Sequence, residues 1–125
     1  AWMNEENGRT LAFAMIETRE ALAIVDDILA VPGIDGVFVG PADFSIAWSG
    51  GATVDPSLPE MMDAIARIAA RAAAAGKHAA IYVVDPALVG RYGAMGFRLM
   101  ALGSEGRYMA LGAAALLDAA RAAMK

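Results

Sequence analysis

Two carboxylates draw the candidate chemistry of this sequence to one place. Glu17 closes the apolar run Leu11-Ala-Phe-Ala-Met-Ile16, and Asp43 stands just beyond the run Gly36-Val-Phe-Val39, across Gly40-Pro41. The second run is too short for a helix, β-branched and aromatic, and bounded by glycine, so it reads as a buried strand. Pro41 cannot donate to a sheet ladder, which ends the strand there. Two buried strands that each finish on an acid make a paired acidic site. Such an oxygen-donor pair suits a hard divalent cation: Mg²⁺, Mn²⁺ or Co²⁺. Taken alone, Glu17 would serve equally well as an acid favoured by the dipole at a helix start.

The elements that must position these acids follow in chain order. Residues 1–9 read as a helix tail with a turn at Asn7-Gly8, and residues 11–16 as the first strand. Thr18 is the N-cap expected for a helix over 19–31, where Leu22, Val25, Ile28 and Leu29 recur at three- and four-residue steps. Pro32-Gly33 ends it, and the strand 36–39 follows. Residues 44–56 read as a loop containing Gly50-Gly51 and Asp55-Pro56. Ser57 with Glu60 predicts a capping box, and Pro59 a first helical turn. The helix over 58–75 should face Met61, Ile65, Ile68 and Ala72 inward and Asp63, Arg67 and Arg71 outward, ending at Gly76. A third strand is expected over 78–84, a helix from Asp85-Pro86 to about Ala94, and a fourth strand over 97–102. A turn at Gly103–Gly106 and an alanine-rich helix from Arg107 complete the chain.

Strand and helix thus alternate four times, and the strands are continuous apolar runs. This predicts an α/β fold with a parallel sheet covered by helices, each unit a right-handed crossover. Four βα units make either a small doubly wound sheet or half of a (β/α)₈ barrel; the abrupt start favours the half-barrel. In both folds the chemistry lies at the C-terminal ends of the strands, where Glu17 and Asp43 fall.

Composition narrows the functional classes. The chain of 125 residues carries a net charge of −4 with a pI near 4.8, and its ten basic residues form no stripe, which argues against nucleic acid. It is 58% hydrophobic with a mean hydropathy of +0.49, much of it alanine, yet no apolar run approaches the roughly 18 residues of a membrane span. No secretory leader pattern is visible. Zero cysteines exclude thiol catalysis and thiolate metal sites and fit a cytoplasmic protein.

The stretches Met15-Ile-Glu-Thr-Arg-Glu20 and Ile28-Leu-Ala-Val-Pro-Gly-Ile-Asp-Gly-Val-Phe-Val-Gly-Pro-Ala-Asp-Phe-Ser45 together resemble the HpcH/HpaI aldolase and citrate lyase family. The nearest branch is the 2-oxo-acid aldolases of the 2-dehydro-3-deoxyglucarate or 4-hydroxy-2-oxo-heptanedioate type. The resemblance runs over nearly the whole chain, and its most specific part is the I-E-T and G-P-A-D-x-S pair at this spacing. It implies a TIM barrel of which residues 1–125 form the second half, strands five to eight. Glu17 and Asp43 would bind the divalent metal, and the main chain at Ala42 and Asp43 would receive the carboxylate of pyruvate. A plain tight turn would give the same local sequence. The implied activity is a metal-dependent class II cleavage of a 4-hydroxy-2-oxo acid to pyruvate and an aldehyde. The alternatives are the citryl- or malyl-CoA lyase branch, or a non-catalytic half-barrel that binds metal and assembles.

One departure stands out: relatives often carry Gln where this chain has Met15. The family's catalytic His and carboxylate-binding Arg fall in the absent half, so no catalytic residue is expected here. His78, at a strand start, is read as structural, and neither Lys77 nor Lys125 is placed for a Schiff base. Gly103-Ser104-Glu105-Gly106 is read as a helix cap rather than a phosphate site, because Glu105 would repel phosphate. Trp48 is either a substrate-side or oligomer contact or a loop anchor. The strand faces carrying Val37, Val39, Ile81 and Val83 are expected to face the barrel interior. Homo-oligomerisation, or pairing with the missing half, would cover them.

Overall fold

The computed structural model describes residues 5–124. A 3₁₀ turn at Glu6–Gly8 leads into β1 (Phe13–Ile16), α1 (Arg19–Ala23), α2 (Val25–Ala30), β2 (Gly36–Val39), α3 (Pro41–Ser49) and α4 (Pro59–Ala74). Then come β3 (His78–Val83), a 3₁₀ turn at Pro86–Leu88, α5 (Val89–Met95), β4 (Leu99–Leu102) and α6 (Glu105–Ala123). The four strands form one sheet in the order β1-β2-β3-β4, all neighbours parallel. The expected parallel α/β arrangement of successive βα units is present. The helix-tail reading of residues 1–4 and the placement of Lys125 lie outside the described residues.

Register assigns the faces of the sheet. Ile16, Val39, Ile81 and Met100 form one cross-strand row, and Met15, Phe38, Ala80 and Leu99 the next. Because strand side chains alternate, the two rows point to opposite faces. Ile16, Val37, Val39, Ile81 and Val83 are fully buried, and α4 packs across β2 and β3. These valines and isoleucines therefore lie beneath the helices, not toward a barrel interior as expected from sequence. The runs are apolar on both faces, so hydrophobicity carries no parity signal; only the helix stripe they meet decides. Met61, Ile65, Ile68 and Ala72 of α4 are 0% exposed as predicted, and each of the three larger side chains adds about 1.5–3 kcal/mol of burial. On the other face Met15 and Leu99 are each 52% exposed.

Local chemistry explains most boundaries. Thr18 Oγ1 accepts from the Ala21 N–H at 3.1 Å, the predicted cap. The single helix expected over 19–31 instead breaks at Ile24 (φ −108°, ψ 19°) into α1 and α2. The predicted capping box does not form. Ser57 turns back on Asp55, donating its N–H at 2.9 Å and its hydroxyl at 2.5 Å to Oδ1, and α4 begins after Leu58 with Pro59 in its first turn. That pair of bonds holds the Asp55 carboxyl below its usual pKa, the hydroxyl contributing most.

The largest correction concerns residues 44–56, half of which is helix. Pro41 opens α3, Asp43 sits in its first turn, and Gly50 closes it with φ +63°. Trp48 is thus a helical residue, half-buried against the core and edge-on to Phe44 with ring centroids 5.6 Å apart. Its buried face is Pro41, Phe44 and Ser45 with half-buried Trp48, and two of these four are a proline and a serine, so hydrophobicity alone does not announce the period. At the end of the chain Ser104 caps α6 through the Arg107 N–H at 3.5 Å, so the cap reading of this segment holds. No described residue of α6 is buried.

Candidate active site

Glu17 and Asp43 line one cavity of about 310 Å³ at the C-terminal ends of β1 and β2, with Met15, Phe38, Gly40, Pro41, Ala42 and Tyr82 completing the wall. Glu17 shares the parity of Met15 and reaches the cavity from the turn after β1. Asp43 reaches it from the first turn of α3, where the positive end of the helix favours a carboxylate. Glu17 is half-buried and Asp43 exposed.

Gly40 leaves room for the Glu17 carboxylate. A Cβ at this position would lie 2.8 Å from Glu17 Oε2 and 3.8 Å from Met15 Sδ. A side chain at residue 40 would push the Glu17 carboxylate out of its present position over the end of β2. The same glycine is the N-cap of α3 and offers no capping side chain. The first intrahelical bond runs from the Phe44 N–H to the Gly40 carbonyl at 2.9 Å, and Pro41 has no N–H. The N–H groups of Ala42 and Asp43 are thus the open donors of this helix start, at the cavity wall. The residues that carry these two carboxylates and two N–H groups line one small cavity.

The donor set fits a hard cation in part. No group of three or more His, Cys, Asp or Glu is assembled among the described residues. Two carboxylates leave the remaining positions of an octahedral ion to water and substrate oxygens, as is usual for Mg²⁺. Gly40 further provides the space in which the Glu17 carboxylate lies.

The residues read as structural are placed away from this cavity. His78 begins β3, paired in register with Gly36 at the opposite end of the sheet. Lys77 Nζ donates to the carbonyls of Val31 (3.1 Å) and Ile34 (2.5 Å), holding the turn between α2 and β2. A cleft of similar size, about 320 Å³, lies on the helical side over the Arg71–Asp26 ion pair, whose Nε–Oδ1 distance is 2.5 Å. Both partners of that pair are largely exposed, which limits its worth.

Phe38 and Tyr82 were not singled out from the sequence. Their signal is parity: counting by twos from Glu17 to Met15, then across the sheet to Phe38 and up β3 to Tyr82, stays on one face. Together with Met15 they make the cavity wall largely apolar.

Comparison with known proteins shows the family and the fold. Residues 3–111 match the family model described as HpcH/HpaI aldolase/citrate lyase. A hydroxypyruvate/pyruvate aldolase of Rhizorhabdus wittichii is 44% identical over 81 residues, covering 65% of this chain and 32% of that enzyme. A 4-hydroxy-2-oxo-heptane-1,7-dioate aldolase of Salmonella paratyphi B is 38% identical over 115 residues, 92% of this chain and 43% of that enzyme. The crystal structure of a family protein from Burkholderia cenocepacia superposes with a TM-score of 0.83 at 27% identity, covering 96% of this chain and 46% of that one. The chain spans less than half the length of each of these relatives. It belongs to the HpcH/HpaI aldolase/citrate lyase family.

Proposed function

We propose that this chain supplies the second half, strands five to eight, of a TIM-barrel lyase that reversibly cleaves a 4-hydroxy-2-oxo acid to pyruvate and an aldehyde. The observation that carries the reading is the meeting of Glu17, Asp43 and the open N–H groups of Ala42 and Asp43 in one cavity. Glu17 and Asp43 would hold a divalent cation, Mg²⁺, Mn²⁺ or Co²⁺, through oxygen. Bound there, such an ion supplies a Lewis acid toward the 2-oxo group and its neighbouring carboxylate.

The chain's own residues then divide the remaining tasks. The Ala42 and Asp43 N–H groups receive the substrate carboxylate, an anion at a helix N-terminus. Gly40 lets that anion and the Glu17 carboxylate approach the main chain closely. Met15, Phe38 and Tyr82 exclude water from one side of the cavity. Met15 can donate no hydrogen bond, so a contact that a Gln at this position would make is absent. The proton of the 4-hydroxyl must go to a base that the βα units described here do not provide, since His78 lies at the other end of the sheet.

Calorimetric titration of Mn²⁺ into the wild type, Glu17→Ala and Asp43→Ala tests the metal reading. Each variant should lose at least about tenfold in affinity, as for the loss of a ligand or its close support. Unchanged affinity in both would overturn it. Assays with a 4-hydroxy-2-oxo acid beside citryl and malyl thioesters separate this reaction from the CoA-linked one.

A further inference from the structure

We propose that Arg19 is a positioning residue for the carboxylate pair, gripping α3 at its C-terminal end while Glu17, two residues earlier, stands at its N-terminal end. The proposal rests on the metal reading of Glu17 and Asp43 above. Arg19 Nη2 donates to the Trp48 carbonyl at 2.5 Å, and its guanidinium carbon lies 4.3 Å from the centre of the Trp48 ring. The last four carbonyls of a helix lack helical partners. In α3 the Gly51 and Gly50 N–H groups return to Ile46 and Ala47, and the Ala52 N–H to Ser49. The Trp48 carbonyl is the one that Arg19 takes. A cation is also favoured at this end of the helix dipole.

From Trp48 the contact continues inward. Its ring stands edge-on to Phe44, at 85° between planes, and Phe44 is fully buried and adjacent in sequence to Asp43. The nine residues of α3 span about 13 Å at 1.5 Å per residue, so the segment Glu17-Thr18-Arg19 touches both ends of one short rod. Glu17 approaches Gly40 at one end and Arg19 clasps Trp48 at the other. A shift of α3 along its axis would carry Asp43 away from Glu17, and the Arg19–Trp48 clasp opposes that shift.

The test uses the protein in its native assembly, with Mn²⁺ affinity by calorimetry and thermal unfolding without metal measured on Arg19→Gln, Arg19→Lys and Trp48→Leu. Arg19→Gln and Trp48→Leu should each weaken Mn²⁺ binding about tenfold, the scale of lost support behind a metal ligand. Arg19→Lys should recover part of the loss, keeping the charge and one donor but not the planar fork. The sign is decisive, because removing a positive charge near two carboxylates would by itself tighten cation binding. Unchanged or tighter Mn²⁺ binding in Arg19→Gln, with only a lowered melting temperature, would overturn the proposal and leave the clasp purely structural. If Glu17→Ala loses Mn²⁺ affinity while Arg19→Gln binds Mn²⁺ like the wild type, this proposal alone fails. If Glu17→Ala and Asp43→Ala both bind Mn²⁺ like the wild type, the metal reading fails and this proposal falls with it.

Discussion

The carboxylate of Glu17 rests against the backbone of Gly40 so closely that a methyl group on residue 40 would come within 2.8 Å of Oε2. The glycine therefore makes room for the acid at the end of β1. Its φ of −100° is open to any residue, so Gly40→Ala would act through the side chain it adds rather than through backbone strain. The expected result is a Mn²⁺ affinity lowered about tenfold or more, with the fold retained by circular dichroism. Wild-type affinity in this variant would show that Glu17 can bind from another rotamer.

Tyr82 and Met15 form the apolar side of the cavity, so, under the proposed reaction, trimming them should alter which aldehyde is accepted. Tyr82→Ala is expected to change the ratio of kcat/KM for a bulky against a small aldehyde by about tenfold or more, as for altered pocket volume elsewhere. The KM for pyruvate in the condensation direction should move far less. Equal effects on both substrates would place Tyr82 outside the aldehyde path.

His78 stands at the N-terminal edge of the sheet, where barrel residues serve stability. Turnover of His78→Ala should stay within about tenfold of wild type, whereas losing a general base costs roughly 10² to 10⁴. A loss at the upper end of that range would contradict the strand direction seen here.

Association is expected from the surface this chain leaves uncovered. In α6 Met109 and Leu116 are 73% and 74% exposed, and Leu111 and Leu117 face solvent beside them. Apolar surface of this extent on one helix normally marks an interface. Sedimentation at micromolar concentration should return a dimer or larger species. A compact, cooperatively unfolding monomer would refute the expectation.

How much of this was legible in the sequence depends on which physical signal each element carries. The strand at 36–39 and the stripe of α4 were readable because glycine boundaries and a long 3.6-residue period are strong local marks. Thr18 and Ser104 were readable as caps because each hydroxyl answers to an N–H three residues on. The helix α3 was missed because its buried face includes a proline and a serine and its ends are marked by glycines that equally mark a loop. Ser57 failed as a cap because Leu58 takes the N-cap position, leaving Ser57 one residue outside the helix and turned back on Asp55. The acids of the site were found from their position after apolar runs, but Tyr82 was not. Its membership depends on register between strands far apart in sequence, which no local pattern encodes.

The division of the sheet into a helix-covered face and a cavity face has a consequence for variation in this protein. Along β2 and β3 consecutive residues answer to different pressures: Val37, Val39, Ile81 and Val83 are packed under α4, while Phe38, Gly40 and Tyr82 line the cavity. Selection for abundance in the cell would act on the first set, and selection for a new substrate on the second. A substitution library across these two strands should sort its phenotypes residue by alternate residue, so that the protein can drift in specificity without first losing its core.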